Sequence, residues 1–197
     1  MKDEQLLRYS RQIMLPQMDV AGQQKLIDAT VLIVGMGGLG CPAAMYLAAA
    51  GVGHLIIADD DVVELTNLQR QVAHSQSMIG EPKVVSAQQT LLGLNPDLKI
   101  TALQKRLDGA NLSEAVSQAD LVVDACDNYT TRFAINSACI EHGKPLVSGA
   151  SIRIEGQVAV FDSRSPIIPC YLFLYSHVCD DDTSCSLSVV LSPRVSF

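Results

Sequence analysis

The sequence predicts an α/β fold built on a doubly wound, mostly parallel sheet. The stretch from Thr30 to Ala58 contains no Asp, Glu, Lys or Arg, and its glycines and one proline divide it into strand, turn, helix and strand. The strands at 31–34 and 55–58 are continuous apolar runs, as is typical of parallel strands buried on both faces. The helix at 43–50 consists of small residues that can pack closely on a sheet. Strands and helices keep alternating afterwards, which indicates a Rossmann-like architecture.

Hydrophobic spacing and prolines predict the remaining elements. An N-terminal helical arm is expected over residues 4–28, with apolar residues at roughly helical spacing over 4–15 and a second short helix at 19–28. Pro82 opens a helix that ends at Asn95-Pro96. Alternating strands and helices then follow at 98–103, 110–118, 121–124, 129–142, 145–148 and 157–161.

The uncharged stretch also passes for a membrane span by charge count, since about 18 apolar residues suffice for one. Its glycines and proline favour strands and a helix of a sheet-containing domain instead. Four glycines between Gly35 and Gly40, then Pro42, Gly51 and Gly53, divide the stretch into segments too short to cross a bilayer. We therefore expect no membrane partner.

Length, charge and cysteine content limit the classes of protein to which this chain can belong. At 197 residues the chain is long enough for one α/β domain with a sizeable core. Its net charge of −7 opposes a nucleic-acid partner, which is held by a basic face. The N-terminus carries acids and no apolar core of signal-peptide length, so a cytoplasmic location is expected. The six cysteines form no CxxC pair, and Cys41, Cys126 and Cys139 are interpreted as small core residues inside helices or strands.

A fingerprint for nucleotide phosphates lies at the first strand-to-helix junction, in the spacing Gly35-x-Gly37-x-x-Gly40. Glycine permits a tight turn and a close approach of the backbone, and the helix N-terminus directs unpaired N–H groups at a phosphate. Asp59 stands at the tip of the second strand, where a carboxylate can accept hydrogen bonds from ribose hydroxyls. A glycine-rich turn that binds no ligand is the alternative.

Two charged residues beyond this motif are candidates for the same site. Lys83 falls in the first turn of the helix after Pro82, where the helix dipole disfavours a cation, so a functional role or a solvated lysine would explain it. Asp127 follows a buried strand and should face the same crevice as Gly35 and Asp59. A role as helix N-cap is its alternative.

Seven motifs carry a resemblance to a known family: RYSRQ at 8–12, GMGGLG at 35–40, ADDD at 58–61, NLQRQ at 67–71, Pro82-Lys83, DACDN at 124–128 and SGASIRIEGQ at 148–157. In this order and spacing, over residues 5 to 162, the chain resembles the adenylating ThiF/MoeB/HesA family, bacterial relatives of ubiquitin-activating enzymes. The resemblance implies an adenylyltransferase that binds ATP with Mg²⁺. Its partner would be a small ubiquitin-like sulfur-carrier protein ending in Gly-Gly, from thiamine, molybdopterin or another sulfur-transfer pathway.

By this resemblance the C-terminal carboxylate of the carrier attacks the α-phosphate of ATP and releases pyrophosphate. The glycine loop, with Gly35, Gly37, Gly38 and Gly40, would lie against the nucleotide, and Asp59 would take the ribose hydroxyls. Cations and a metal must face the triphosphate in such a displacement.

The resemblance also assigns the charged groups. Asn67, Arg70 and Lys83 would reach the phosphates, while Asp127 would bind Mg²⁺ and Asn128 would support it. Arg11 would enter the nucleotide site of the other subunit of a homodimer. The expected catalytic residues are therefore Arg11, Arg70, Lys83 and Asp127.

The C-terminal part departs from the family pattern. After Pro169-Cys170-Tyr171 the second cysteine of a CxxC pair is missing, so the structural zinc of the family is expected to be absent. Cys185 stands where relatives often carry a cysteine of the crossover loop. Residues 163–197 are interpreted as an irregular, truncated tail after an adenylation domain at 1–162, and a frameshift near residues 165–173 is a hypothesis for its origin. This incomplete C-terminal part puts the homodimer and the activity of the chain in doubt.

Two other functions stay open at this stage. An NAD-dependent oxidoreductase would use the glycine fingerprint and Asp59 equally well, although the chain offers no clear acid or base for hydride transfer. An inactive remnant that only binds a nucleotide or a partner is the other alternative.

Overall fold

The computed structural model describes residues 1–152, 154–164 and 171. The N-terminal part contains α1 (Asp3–Arg8), α2 (Ser10–Ile13), α3 (Asp19–Asp28), β1 (Thr30–Val34), α4 (Gly40–Ala50) and β2 (His54–Ala58). After two short 3₁₀ helices, Leu65–Asn67 and Gln76–Met78, come α5 (Lys83–Leu94), β3 (Lys99–Leu103), α6 (Gly109–Ser117), β4 (Leu121–Asp124), α7 (Tyr129–Glu141), β5 (Leu146–Ile152) and β6 (Glu155–Phe161).

The strands form one sheet in the order β3-β2-β1-β4-β5-β6. Strands β1 to β5 pair in parallel, and β6 runs antiparallel to β5. The prediction of a doubly wound, mostly parallel sheet is therefore confirmed. The strand order reverses between β1 and β4, and ligands of such sheets bind at this reversal, beyond the carboxyl ends of the strands.

Strand register aligns the ends of the central strands. Val34, the last residue of β1, pairs with Ala58 on one side and with Asp124 on the other. The next residues of the three strands therefore leave the sheet side by side. This alignment brings the glycine loop, Asp59 and the DACDN segment to one edge.

Two helical layers bury the two faces of the sheet. Alternate residues of β1 point to opposite faces, so Leu32 and Val34 belong to one apolar cluster and Val31 and Ile33 to the other. The first cluster is completed from α6 and α7 by Leu112, Val116, Ile135 and Cys139, and the second from α4 and α5 by Ala44, Ala48, Val84 and Leu91. Continuous apolar strands are needed because both faces are covered.

The N-terminal arm packs near the amino-terminal ends of the strands. The Tyr9 side chain is buried, and its hydroxyl accepts a hydrogen bond of 3.1 Å from Nδ2 of Asn95. Arg8 donates to the carbonyl of Leu94, at the end of α5, and Gln12 donates to the carbonyl of Ala50, at the end of α4. Crossover helices run antiparallel to their strands, so these helix ends lie opposite the carboxyl ends of the strands.

Three expectations need correction. Residues 4–15 form two short helices that meet at Tyr9 instead of one helical run. Strand β5 extends to Ile152, beyond the expected 145–148, because the antiparallel hairpin with β6 continues the pairing after that with β4 ends at Ser148. Cys126 lies in the loop after β4, whereas Cys41 and Cys139 lie in helices as expected.

In the part of the chain that the structure describes, no helix is both long enough and apolar enough to cross a membrane. The uncharged stretch from Thr30 to Ala58 instead forms β1, α4 and β2. The expectations for Cys170, Cys185 and most of the tail at 163–197 fall outside the described residues.

Candidate functional site

A cavity of about 780 Å³ opens at the carboxyl ends of β1, β2 and β4. It lies where the strand order reverses, the position at which doubly wound sheets bind ligands. Most residues selected from the sequence line it, namely Gly35, Gly37, Gly38, Asp59, Asn67, Arg70, Lys83, Asp127 and Asn128. The tertiary structure thus brings together segments that are up to 93 residues apart in the chain.

Two glycines in the loop after β1 are required by the backbone. Gly35 has a φ of +96°, and a Cβ built on it would lie 2.7 Å from the carbonyl oxygen of Ala125. A Cβ on Gly40 would lie 1.8 Å from the carbonyl oxygen of Gly35, so α4 could not begin so close to the loop. Gly40 is therefore buried behind the loop, where the absence of a side chain lets the backbone of Gly35 pack against it. Gly37 and Gly38 line the cavity with their backbones.

The carboxylate of Asp59 is tied to the glycine loop. Its Oδ2 accepts from the N–H of Met36 at 2.7 Å, and its Oδ1 accepts from the N–H of Asp61 at 2.9 Å. Burial raises the pKa of Asp59 above its usual value, and Lys83 and the two N–H donors oppose that rise. Carboxylate oxygens have further lone pairs, so this oriented group can still accept from ligand hydroxyls.

Lys83 begins α5 and forms an ion pair with Asp61, with 2.7 Å between Nζ and Oδ2. The residue is only 5% exposed, so the interpretation as a solvated lysine is wrong. The unfavourable position at the helix N-terminus is offset by this carboxylate. The ammonium group is held at the wall of the cavity.

The segment with NLQRQ forms a second wall. The side chain of Arg70 lies over Gly38, with its Cδ 3.5 Å from where a Cβ would stand, and its Nη1 donates to the carbonyl of Thr66. Asn67 accepts from Nε2 of Gln71 at 2.8 Å. This segment therefore places a guanidinium group directly beside the glycine loop.

Asp127 and Asn128 have divided roles in the loop after β4. Asn128 is the N-cap of α7, because its Oδ1 accepts from the N–H of Thr131 at 2.9 Å. The alternative role of Asp127 as the helix cap is therefore wrong. Asp127 is exposed at the cavity, and Nδ2 of Asn128 lies 3.5 Å from its Oδ1.

A buried charged cluster supports this loop from beneath. Asp124 accepts from Oγ of Ser148 at 2.6 Å and from the Sγ and N–H of Cys126. Arg132 of α7 lies 3.7 Å from the same carboxylate and donates to the carbonyl of Cys126. Both charged residues are at most 5% exposed. The loop that carries Asp127 is therefore fixed at both ends.

The three described cysteines are free thiols. Burial raises the pKa of Cys41 to about 11 and that of Cys139 to about 12. The pKa of Cys126 is raised further, by burial and by the adjacent Asp124. All three are therefore protonated at neutral pH, which makes them poor nucleophiles.

Sequence reasoning missed three cations of the cavity. Among the described residues, five cationic side chains line it, Arg70, Lys83, Lys105, Arg106 and Arg132, of which the last three were not selected. Lys105 and Arg106 follow the carboxyl end of β3, so the rule that selected Asp127 could have found them. Five carboxylates also line it, Asp59, Asp60, Asp61, Glu64 and Asp127, so the cavity suits an anion accompanied by a cation.

Among the described residues that were expected at the site, Gly40 and Arg11 do not line this cavity. Arg11 is exposed on α2, in the arm that packs near the amino-terminal ends of the strands, whereas the cavity lies at their carboxyl ends. Cys185 lies outside the described residues.

The residues Asp59, Asp60 and Asp61 place three carboxylates within 4.8 Å of one another. Two of them are already engaged, Asp59 by backbone N–H groups and Asp61 by Lys83. Asp127 is an exposed carboxylate that also lines the cavity, and carboxylate oxygen is a ligand that Mg²⁺ prefers. Asp127 therefore offers one oxygen ligand of the kind that fits this ion.

Comparison with protein families matches residues 9–196 to the ThiF family. The sulfur carrier protein ThiS adenylyltransferase of Escherichia coli K12 is 46% identical over 195 residues, which are 99% of this chain and 77% of that protein. The molybdopterin-synthase adenylyltransferase of the same organism is 45% identical over 99% of this chain and 78% of its own length. The SAMP-activating enzyme E1 of Haloferax volcanii is 44% identical, covering 95% of this chain and 69% of that protein.

Solved structures show the same fold. PaaA superimposes with a TM-score of 0.78 at 26% identity, covering 95% of this chain and 62% of that one. E. coli MccB in complex with MccA-N7isoASN gives a TM-score of 0.75 at 26% identity, and the match covers 84% of this chain and 49% of MccB. This chain therefore spans about half to three quarters of these relatives.

Proposed function

Because the chain belongs to the ThiF family, we propose that it is an adenylyltransferase that activates the C-terminal carboxylate of a small sulfur-carrier protein with ATP. The two bacterial relatives are named as adenylyltransferases for ThiS and for molybdopterin synthase. The observation that carries the proposal is the convergence of the glycine loop, Asp59, Arg70 and Lys83 on one cavity. The carrier ends in Gly-Gly in this proposal.

The nucleotide half of the site follows from backbone geometry and one carboxylate. The glycine loop and the first turn of α4 present N–H groups to the phosphates, since glycines let the backbone approach closely. Asp59 accepts hydrogen bonds from the ribose hydroxyls. Its contact with the N–H of Met36 supports this role, because it fixes the distance between the sugar and phosphate positions.

The cationic side chains of the cavity neutralise the negative charge of the phosphates in this proposal. Arg70, which lies over Gly38, and Lys83, which is fixed by Asp61, reach the phosphates together with Asn67. As the carrier carboxylate approaches, one carboxylate oxygen forms a bond to the α-phosphorus and the bond from that phosphorus to the bridging oxygen breaks. The electron pair leaves with pyrophosphate, whose negative charge these cations stabilise.

We propose that Asp127 holds Mg²⁺, with Asn128 orienting its carboxylate. Bound Mg²⁺ supplies charge stabilisation to the phosphate oxygens. The buried pair of Asp124 and Arg132 keeps the Asp127 loop in position. The absence of zinc stays a prediction, since Cys170, Cys179 and Cys185 lie outside the described residues.

We also propose a homodimer in which Arg11 reaches the cavity of the partner subunit. Two observations support it. Arg11 is exposed in the arm at the amino-terminal ends of the strands, away from the cavity of its own chain. The same arm exposes the apolar side chains of Leu7 and Met14. Association through the arm would cover these side chains. Sedimentation at rising concentration tests the oligomeric state.

Titration calorimetry with ATP and Mg²⁺ tests the nucleotide assignment, with NAD⁺ as the comparison. We expect binding of ATP and much weaker binding of NAD⁺, because the cations suit a triphosphate. Exchange of labelled pyrophosphate into ATP, dependent on an added carrier ending in Gly-Gly, then tests the reaction. Tighter binding of NAD⁺ would favour the oxidoreductase alternative, and ATP binding without exchange for any carrier would leave a nucleotide-binding protein without the proposed activity.

A further inference from the structure

The backbone of Met36, inside the glycine loop, is held at both its N–H and its carbonyl group. Its N–H donates to Oδ2 of Asp59 at 2.7 Å. Its carbonyl oxygen lies 3.0 Å from Nε2 of His74 and accepts from Sγ of Cys41 at 3.2 Å. The side chain of Met36 is fully buried, and His74 is only 8% exposed. These contacts leave the loop at Met36 very little freedom to move.

The hydrogen-bond partners define the tautomer of His74. The carbonyl of Met36 can only accept, so Nε2 of His74 carries the hydrogen. Nδ1 is then an acceptor, and the hydroxyl of Ser86 donates to it at 3.0 Å. Burial lowers the pKa of His74 below its usual value, which agrees with a neutral imidazole. Ser86 therefore orients His74, and His74 orients the loop.

Ser86 lies one turn after Lys83 in the same helix, α5. Lys83 is paired with Asp61, whose N–H donates to Asp59, and Asp59 accepts from Met36. The contacts thus close a ring that runs from the loop to β2, on to α5 and back through His74. The ring fixes the position of the Lys83 ammonium relative to the glycine loop.

Holding the Met36 carbonyl also aims the next N–H group. The Met36–Gly37 peptide is trans, so the N–H of Gly37 points away from the carbonyl of Met36 and hence away from His74. Gly37 lines the cavity. The contact with His74 therefore fixes the plane of this peptide and, with it, the direction of the N–H of Gly37.

We propose that His74 is a positioning residue of the nucleotide site, which fixes the glycine loop through the Met36 carbonyl and is itself oriented by Ser86. This inference rests on the proposed function, since it assigns a support to the proposed phosphate-binding loop. His74 touches no reacting atom. Its effect is on the geometry of the loop and, through it, on the affinity for ATP.

Two substitutions of His74 separate its two hydrogen bonds. In His74→Gln the amide nitrogen can take the place of Nε2 and donate to Met36. In His74→Asn the shorter amide reaches only the place of Nδ1, so the contact with Ser86 can form while the Met36 carbonyl loses its nitrogen donor and keeps only the weaker thiol donor of Cys41. A tenfold change in an equilibrium corresponds to about 1.4 kcal/mol.

Amide hydrogen exchange of residues 35–40 in the ligand-free protein is the first measurement. We expect about tenfold faster exchange in His74→Asn and less than about threefold faster exchange in His74→Gln. The control is His142→Asn, which removes a similar contact with Ser113, 2.7 Å long, between α6 and α7, and should leave exchange at 35–40 unchanged. Equal exchange in the Asn and Gln variants, or unchanged exchange in His74→Asn, would overturn the inference.

Calorimetry with ATP is the second measurement, and it separates this inference from the proposed function. We expect the Kd of His74→Asn to rise about tenfold and that of His74→Gln to stay within about threefold of the unsubstituted protein. If the unsubstituted protein fails to bind ATP, the proposed function fails and the exchange data alone judge the role of His74. If His74→Asn does not fold, Ser86→Ala takes its place, and exchange at 35–40 that is not faster than in the unsubstituted protein would overturn the proposal.

Discussion

The ion pair between Lys83 and Asp61 joins the start of α5 to the loop after β2. Its two sides differ in environment, because the Lys83 side chain is 7% exposed and the Asp61 side chain is 68% exposed. The lysine is therefore the buried partner, and a carboxylate at the cavity surface holds its ammonium group. A group of this kind keeps a cation in position while leaving it accessible to a ligand from the cavity side.

Asp61→Asn should weaken the binding of ATP about three- to tenfold relative to Asp60→Asn, because only the first substitution releases Lys83. Both substitutions remove one negative charge from the same wall of the cavity, so the comparison isolates the ion pair from the general charge. The pair is partly exposed, which keeps the expected effect modest. Calorimetry on both variants measures it, and equal affinities would contradict the role of the pair.

Lys83→Met should lower the rate of carrier-dependent pyrophosphate exchange about 10²-fold, because it removes a positioned charge that would face the phosphates in the proposed site. Lys25→Met, on the exposed side of α3, removes a positive charge far from the cavity and is the control. Initial rates at saturating ATP measure the change. A loss of similar size in both variants would show that net charge, rather than position, controls the rate.

Asp127→Ala should abolish pyrophosphate exchange while leaving the melting temperature unchanged, because Asp127 is exposed and does not cap α7. Asn128→Ala should instead lower stability by about 1 kcal/mol, the usual cost of removing a helix cap. Thermal unfolding and exchange assays on both variants test this division. Full exchange activity in Asp127→Ala would remove this residue from the proposed metal site.

Arg132→Met should destabilise the protein by about 3 kcal/mol, because it leaves the carboxylate of Asp124 buried without its cation. Ser148 and Cys126 still donate to that carboxylate, so the fold should survive. Chemical denaturation monitored by circular dichroism gives the free energy of unfolding. Arg164→Met, in an exposed pair with Asp162, is the control and should change this energy little.

The stability advantage of the unsubstituted protein over His74→Gln should shrink as the pH falls below about 6.5. The pKa of His74 is lowered by burial and by Lys83 and raised by Met36 and Asp59, with a net lowering, and Cys41 is the other titratable group in contact. The unfolded chain then binds the proton more tightly, so the contribution of His74 is present above its ordinary pKa and is lost as the pH falls through the folded value. Burial also lowers the pKa of His54, but both proteins retain this histidine and its contribution cancels. Denaturation at several pH values between 5 and 8 measures the difference, and a constant difference would contradict this expectation.

Local patterns in the sequence were sufficient for the fold class and for much of the cavity. Continuous apolar strands, small residues in α4 and the glycine spacing each depend on residues close in the chain, so they could be read directly. Because parallel strands end at a common edge, the same patterns also indicated that Gly35, Asp59 and Asp127 share one site. The structure agrees, since all three line the cavity.

Contacts between distant elements were decided only by the tertiary structure. The pairing of Lys83 with Asp61, the contact of His74 with Met36 and the capping of α7 by Asn128 instead of Asp127 depend on side-chain directions after the strands have aligned. The length of β5 depends on its antiparallel pairing with β6, which continues to Ile152. Periodicity specifies which face of an element is buried, but a hydrogen bond needs two groups within about 3 Å, and that distance is fixed by the packing of whole elements against one another.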